Sequence, residues 1–202
     1  MEQEPGIAAE CMGLKVPDSP FLNETRIRRI EAARYEGEEI RGALALIGPG
    51  DRVLELGAGL GIVGALTALR ARPQAVLSFE ANPALVPHVE ALYRANGLCD
   101  RIGLRNAVLW AGPDRPETVT FHVHNSYLGS SLSPTAPART RPVEVPTEDF
   151  DAVCAAFRPT VLVADIEGAE RALLERADLS GLRAVVMEFH PKVYGPDGMR
   201  RC

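Results

Sequence analysis

The segment Val53-Leu54-Glu55-Leu56-Gly57-Ala58-Gly59-Leu60-Gly61 joins a short apolar strand to three alternate glycines and runs on into a helical stretch, Ile62–Arg70. Glycines at 57, 59 and 61 allow a sharp turn and a close approach of backbone to ligand, because no Cβ intervenes and positive φ costs little. A helix beginning near Gly61 directs its unpaired N–H groups at whatever occupies the turn. Strand, glycine turn and helix in this order point to an α/β fold with a ligand at the carboxyl end of the strand.

Two nucleotide cofactors suit such a turn. Gly59-Leu60-Gly61-Ile62-Val63-Gly64 matches the GxGxxG dinucleotide fingerprint, so a nicotinamide-dependent oxidoreductase is one reading. In that arrangement the first glycine follows the strand directly, whereas here Gly57 and Ala58 intervene and the strand-adjacent pattern is Glu-x-Gly-x-Gly-x-Gly. Glu55 beside a pyrophosphate would be repulsive without a cation. S-adenosylmethionine carries a cationic sulfonium and a protonated amine and no phosphate, and a carboxylate at the turn suits it. Ala75–Glu80 reads as a buried strand of a parallel sheet ending in Glu80, whose carboxylate can accept both ribose hydroxyls of either cofactor. Together with Glu55 it favours the methionine-derived one.

The 202 residues, 46% of them hydrophobic, suit one globular domain. Net charge is −5 and the 22 Lys and Arg are dispersed apart from Arg26-Arg28-Arg29 and the Met199-Arg200-Arg201 end, which disfavours nucleic acid as a partner. Cys11, Cys99, Cys154 and Cys202 form no CxxC pair, so no zinc knuckle or redox dithiol is expected, and reduced thiols in a cytoplasm are the plain reading. Met1–Pro20 lacks the basic start and apolar core of a secretory signal, and no stretch approaches the ~20 apolar residues that cross a bilayer.

Strands and helices alternate along the chain. After an irregular lead-in over residues 1–23, helical spacing predicts one helix over Glu24–Leu46, stopped by Gly48-Pro49-Gly50-Asp51. Strands follow at Arg52–Leu56, Ala75–Glu80, Ile102–Trp110, Thr118–His124, Thr160–Asp165 and Ala184–His190, with helices at Ile62–Arg70, Pro83–Ala95 and Ala169–Glu175. Asn125–Pro146, rich in Ser, Pro and Thr, reads as a long loop and a candidate substrate lid. The pattern predicts a doubly wound, mostly parallel Rossmann-like sheet with helices on both faces. It forms one domain over 1–202, with a lead-in and helix over 1–47 and a cofactor-binding core over 48–190.

Leu54-Glu55-Leu56-Gly57-Ala58-Gly59-Leu60-Gly61, Phe79-Glu80-Ala81-Asn82-Pro83, Asn106-Ala107, Asp165-Ile166-Glu167-Gly168-Ala169-Glu170 and Glu188-Phe189-His190 occur in this order. Together, over about Tyr35 to His190, they resemble FkbM-type S-adenosylmethionine-dependent methyltransferases of the class I superfamily. The resemblance implies O-methylation of a hydroxyl on a sugar or secondary metabolite, a small-molecule acceptor. It also implies that Glu55, Gly57, Ala58, Gly59 and Gly61 line the methionine moiety, Glu80 the ribose, and Asn106 and Ala107 the adenine edge, with Ala81 also at the cofactor and Asp165 opening onto the sulfonium. Members of the class usually end in two further strands that form an antiparallel edge, which Pro191–Cys202 does not supply. Either the chain is part of a longer one or another element covers the edge, and an uncovered edge invites a homodimer.

Methyl transfer from a sulfonium is an in-line displacement, so positioning supplies much of the rate. An alcohol acceptor must also lose its proton, and Asp165, Glu167, Glu188 and His190, at or just past strand ends, are the candidate bases. His190 is preferred, because its unperturbed pKa of ~6.5 lies near working pH. A strand-capping role for His190 and a helix-start role for Glu170 are the plainer alternatives. His122 and His124 share a strand face but lack a third ligand, so no metal site is expected. Tyr127, Ser130 and Ser131 fall in the loop where an acceptor would be touched. A non-catalytic cofactor-binding module that regulates a partner is the remaining alternative.

Overall fold

A computed structural model describes residues 5–132 and 139–202. Where an irregular lead-in is expected, the chain forms an antiparallel hairpin of β1 (Ile7–Cys11) and β2 (Leu14–Pro17), turned by Met12 and Gly13 at positive φ. Ala9, Cys11, Leu14 and Val16 point from it into the core. The single helix expected over Glu24–Leu46 is two, α1 (Glu24–Glu31) and α2 (Gly37–Leu46). The Asn23 side chain caps α1 by accepting from the Arg26 N–H at 2.9 Å. Between the helices Ala33 and Glu36 take left-handed φ of 52° and 47°, which breaks the path. Helical spacing survives on either side of such a break, so periodicity alone does not reveal it.

β3 (Arg52–Leu56), α3 (Ile62–Leu66) with a π turn over Thr67–Ala71, β4 (Ala75–Phe79), α4 (Val86–Ala95) and β5 (Ile102–Arg105) follow where expected. The strand expected over Ile102–Trp110 divides at Asn106-Ala107. Its second part, β6 (Val108–Trp110), leaves for a small sheet shared with β7 (Thr118–His124) and β8 (Thr140–Asp149), in the order β6-β8-β7. The end of the expected Asn125–Pro146 loop, Thr140–Pro146, is therefore strand, while residues 133–138 of the expected lid lie outside the described residues. Pro142 and Pro146 disguise β8, since proline cannot donate to a ladder. β6 pairs only with Thr147–Asp149, so both prolines lie where β8 has β7 alone as neighbour and an N–H on the other side is not needed. Val143 and Val145 keep the period-two alternation and pack with Phe121 and Val123.

α5 (Phe150–Phe157), β9 (Val161–Ala164), α6 (Glu170–Arg176), β10 (Ala184–Met187) and a kinked α7 (Pro191–Met199) complete the chain. α5, capped by the Asp149 carboxylate on the Ala152 N–H at 2.7 Å, has no counterpart among the expected elements. The main sheet runs β10-β9-β3-β4-β5, all parallel, which is the doubly wound arrangement read from the sequence. From central β3 the chain winds outward through β4 and β5, then returns to add β9 and β10 on the other side. That reversal places a crevice at the carboxyl ends of β3 and its neighbours. Alternate strand residues face opposite layers. Val53, Val76, Val161 and Val163 pack with α2, α3 and α4, while Leu54, Leu56, Leu77, Phe79 and Leu162 pack with α5 and α6. Among the described residues no helix is long and apolar enough to cross a membrane.

The far end of the sheet is tied by Asp51. Its carboxylate accepts from the Gly48 N–H at 2.8 Å, the Thr160 hydroxyl at 2.7 Å and the Arg183 Nε–H at 2.7 Å, with a second bond from Arg183 Nη2. The Arg183 guanidinium holds the Asp51 carboxyl well below the usual carboxylate range.

Candidate active site

A cavity of about 390 Å³ lies over the carboxyl ends of β3, β4 and β9, within the ~300–1,000 Å³ of small-ligand sites. Gly57 and Gly59 line it, at φ of 82° and 56°. A Cβ on Gly57 would stand 1.8 Å from the Asp165 carbonyl oxygen, so the turns after β3 and β9 meet backbone to backbone. Gly61 and Gly64 do not line the cavity. A Cβ on Gly61 would lie 2.7 Å from Val89 of α4, and one on Gly64 would lie 2.3 Å from the Glu55 carboxylate. The glycines at the cavity thus belong to the Glu-x-Gly-x-Gly frame, and the last two of the dinucleotide frame are there for packing.

Glu80 lines the cavity at the end of β4. One carboxylate oxygen accepts from the Gly59 N–H at 2.7 Å and the other from the Asn82 N–H at 2.7 Å, which fixes its orientation and leaves lone pairs for hydroxyls. Burial pushes its pKa up to about 7. Ala81 and Ala107 are on the cavity wall as expected. Asn106 is not: its amide donates to the carbonyls of Glu80 at 2.7 Å and Ala81 at 3.1 Å, bracing the turn that carries them. Ala58 is buried behind the turn, its N–H on the Phe79 carbonyl at 3.0 Å. Glu55 is the larger departure. Its parity along β3 matches Val53, so it points under α3, where it accepts from the Ser78 hydroxyl and the Gly64 N–H and is 2% exposed. Burial pushes it up to about 7, and it holds the glycine turn from below without facing the ligand space.

Beyond β9 the chain makes a turn of two successive left-handed residues, Glu167 at φ 48° and Gly168 at φ 101°. A Cβ on Gly168 would lie 2.6 Å from Val193, so the turn packs on α7 only as glycine. Asp165 and Glu167 line the cavity, whereas Glu188 and His190 stand beside them outside its lining. His190 gathers the group. Its Nδ1–H donates to Glu170 at 2.9 Å, and its Nε2 lies 3.3 Å from Glu167 and 3.8 Å from both Asp165 and Glu188. The hydrogen bond to Glu170 and the neighbouring carboxylates raise the His190 pKa well above its ordinary value, so the ring is an imidazolium at neutral pH. The expectation of an unperturbed histidine poised near working pH is corrected on that ground. Burial, together with Glu188 and Glu167, raises Asp165 far above the usual carboxylate range.

One acid at the site, Glu36, escaped the sequence reading, and another, Glu170, does more than the helix-start role read for it. Glu170 does hold the helix start, accepting from the Gly168 N–H at 2.8 Å, but it is fully buried and also grips His190; against the cost of burial, that bond keeps its pKa low. Glu36, outside every recognised motif, lines the cavity opposite Gly59. Tyr127 also lines the cavity and bonds Tyr35 through the two hydroxyls at 2.8 Å. Glu167 accepts from the Gly129 N–H at 3.0 Å, fastening the same loop to the β9 turn. Asp165, Glu188 and His190 offer ligand atoms within 4.8 Å of one another and are the described residues best able to hold a divalent ion.

Residues 57–199, well over half of the chain, match the family described as "Methyltransferase FkbM domain". The chain belongs to the FkbM methyltransferase family. Among solved structures this FkbM chain is similar to TYW2 of P. horikoshii in complex with MeSAdo, at 17% identity and a TM-score of 0.37 over 47% of this chain and 33% of that one. It is also similar to TrmK of M. capricolum in complex with S-adenosyl-homocysteine, at 11% identity and a TM-score of 0.31 over 33% of this chain and 29% of that one. The chain thus spans a third or less of their lengths. A search of curated proteins gave no match.

The wall of the cavity fits S-adenosylmethionine, the cofactor that a methyltransferase family calls for. Gly57 and Gly59 leave room at the turn, Glu80 offers a braced carboxylate, and Leu85, Leu109 and Trp110 supply apolar surface for a purine. Three buried polar atoms on this wall have no hydrogen-bond partner: Asn82 Nδ2, Trp110 Nε1 and Asp165 Oδ1. Buried polar groups are normally paired, so donors and acceptors left over at one cavity mark where a polar ligand completes them.

Proposed function

We propose that this FkbM chain transfers the methyl group of S-adenosylmethionine to a hydroxyl of a small metabolite or sugar. The cofactor supplies an electrophilic methyl on a cationic sulfur. Gly57 and Gly59 would line its methionine moiety and Glu80 would hold its ribose, with the reactive end toward Asp165. The observation that carries the reading is Asp165 itself, on the cavity wall at the end of β9, with one buried oxygen that accepts no hydrogen bond and lies 3.8 Å from His190 Nε2. The Asp165 carboxylate would accept the proton of an acceptor hydroxyl, and a carboxylate raised toward neutrality is a stronger base than an ordinary one. His190, charged and held by Glu170, balances Asp165, Glu167 and Glu188 so that several carboxylates can share one mouth. Glu167 fastens the Gly129 loop to the β9 turn, beside the space an acceptor would enter. Leu128, Leu132, Phe121 and Leu173 make the acceptor side apolar around these charges.

The test is turnover with methyl-labelled donor on paired alcohols and amines of like skeleton. Label appearing on oxygen, and lost in Asp165→Asn, supports the reading, whereas label on nitrogen alone or no turnover across the panel refutes it. From the β10 edge, which pairs with no further strand among the described residues and where Val185 is 41% exposed, we also propose a homodimer. A strictly monomeric mass by sedimentation at high concentration overturns it.

A further inference from the structure

We propose that Glu36, contributed from the turn between α1 and α2, receives the α-ammonium group of the donor's amino-acid arm. The inference rests on the cofactor reading above and supplies a carboxylate at the turn in place of Glu55, which is engaged beneath it by Ser78 and Gly64.

Four observations converge on Glu36. Its carboxylate borders the cavity, with Oε1 3.5 Å from the position a Cβ on Gly59 would take, so it stands directly across the turn. Its backbone is left-handed at φ 47°, a conformation that a glutamate adopts only when its surroundings impose it and that concentrates at functional sites. Among the described residues it forms no ion pair with any Lys, Arg or His, although burial and the nearby Asp165 raise its pKa well above the carboxylate range. A cation arriving from outside relieves that cost. Finally, Tyr35 bonds both Glu36 and Tyr127. The Tyr35 bond favours the charged form of the Glu36 carboxylate, against the burial that raises it, and an arriving cation acts in the same direction.

The position along the cavity selects the arm over the nucleoside. Glu80 serves the β4 side, next to the apolar wall of Leu109 and Trp110, while Glu36 is coupled to Asp165 on the β9 side. An ammonium there completes a charge-assisted bond.

The test is calorimetric titration of wild type and Glu36→Gln with two probes, S-adenosylhomocysteine and 5′-methylthioadenosine, the second lacking the amino-acid arm. Glutamine keeps the shape and the backbone demand and removes the charge. At least a tenfold loss of affinity for S-adenosylhomocysteine with 5′-methylthioadenosine unchanged within twofold supports the proposal. Equal losses for both probes show a structural role and overturn it, as does no loss for either. A Glu36→Asp variant, which keeps the charge on a shorter stem, is expected to fall between the two. Wild type that binds neither probe defeats the cofactor reading itself, a result distinct from normal wild-type binding with an indifferent variant.

Discussion

At the residue scale the acids of the site differ in what holds them, and their pH behaviour differs accordingly. Glu55 is buried and raised to about 7 from 4.5, so the folded state binds its proton more tightly than the unfolded chain does. Stability then falls as pH rises from about 4.5 to about 7 and is level beyond. Glu55→Gln, which keeps an acceptor for Ser78 and Gly64, is expected to raise Tm relative to wild type more at pH 8 than at pH 5, as measured by calorimetry. Glu80→Ala removes the brace on Gly59 and the ribose acceptor together. Its affinity for S-adenosylhomocysteine is expected to drop ~10- to 100-fold, the scale of one or two charge-assisted bonds; unchanged affinity removes Glu80 from that role. Turnover itself is expected to rise with pH as Asp165 ionises above the usual carboxylate range, and to fall at alkaline pH as His190 loses its proton. A rate profile in which Asp165→Asn keeps the acid limb contradicts the assignment of the base.

At the scale of elements, the turn after β9 couples the catalytic groups to α7. Gly168→Ala forces a Cβ to 2.6 Å from Val193 and asks alanine to adopt φ 101°. His190, immediately before α7, shifts with that helix. We expect turnover to fall much further than affinity for S-adenosylhomocysteine, because Gly57, Gly59 and Glu80 lie on other elements; parallel losses would place Gly168 in general folding instead. The same scale shows where sequence patterns mislead. Pro142 and Pro146 hide a strand whose Val143 and Val145 alternate correctly, and the break at Ala33 and Glu36 hides within an unbroken helical spacing. In both cases the local rule gave way because a neighbouring element, or the lack of one, satisfied the backbone.

At the scale of the molecule, one sheet carries a structural end and a chemical end. Asp51 joins the starts of β3, β9 and β10 through Gly48, Thr160 and Arg183. Asp51→Ala is expected to cost about 2 kcal/mol, below the ~3–5 kcal/mol of a fully buried pair because Arg183 is 49% exposed. Since the folded pKa of Asp51 is depressed, its contribution is present above the unfolded value and is lost as pH falls below the ordinary aspartate range. Chemical denaturation at pH 7 and pH 3 checks both points, and cofactor affinity at the opposite end is expected to stay unchanged.

Strand and helix alternation, the glycine turn, Glu80 and the acids after β9 were legible in the sequence because each is a local pattern, set by periodicity or by adjacent residues. Strand parity alone carried enough to turn Glu55 away from the ligand. Only the tertiary structure decided that Glu36 stands across from Gly59 and that Glu170 and Glu167 flank the His190 ring. These contacts join residues far apart in the chain, and whether a carboxylate meets a cation, a hydroxyl or apolar wall depends on packing that no short segment encodes.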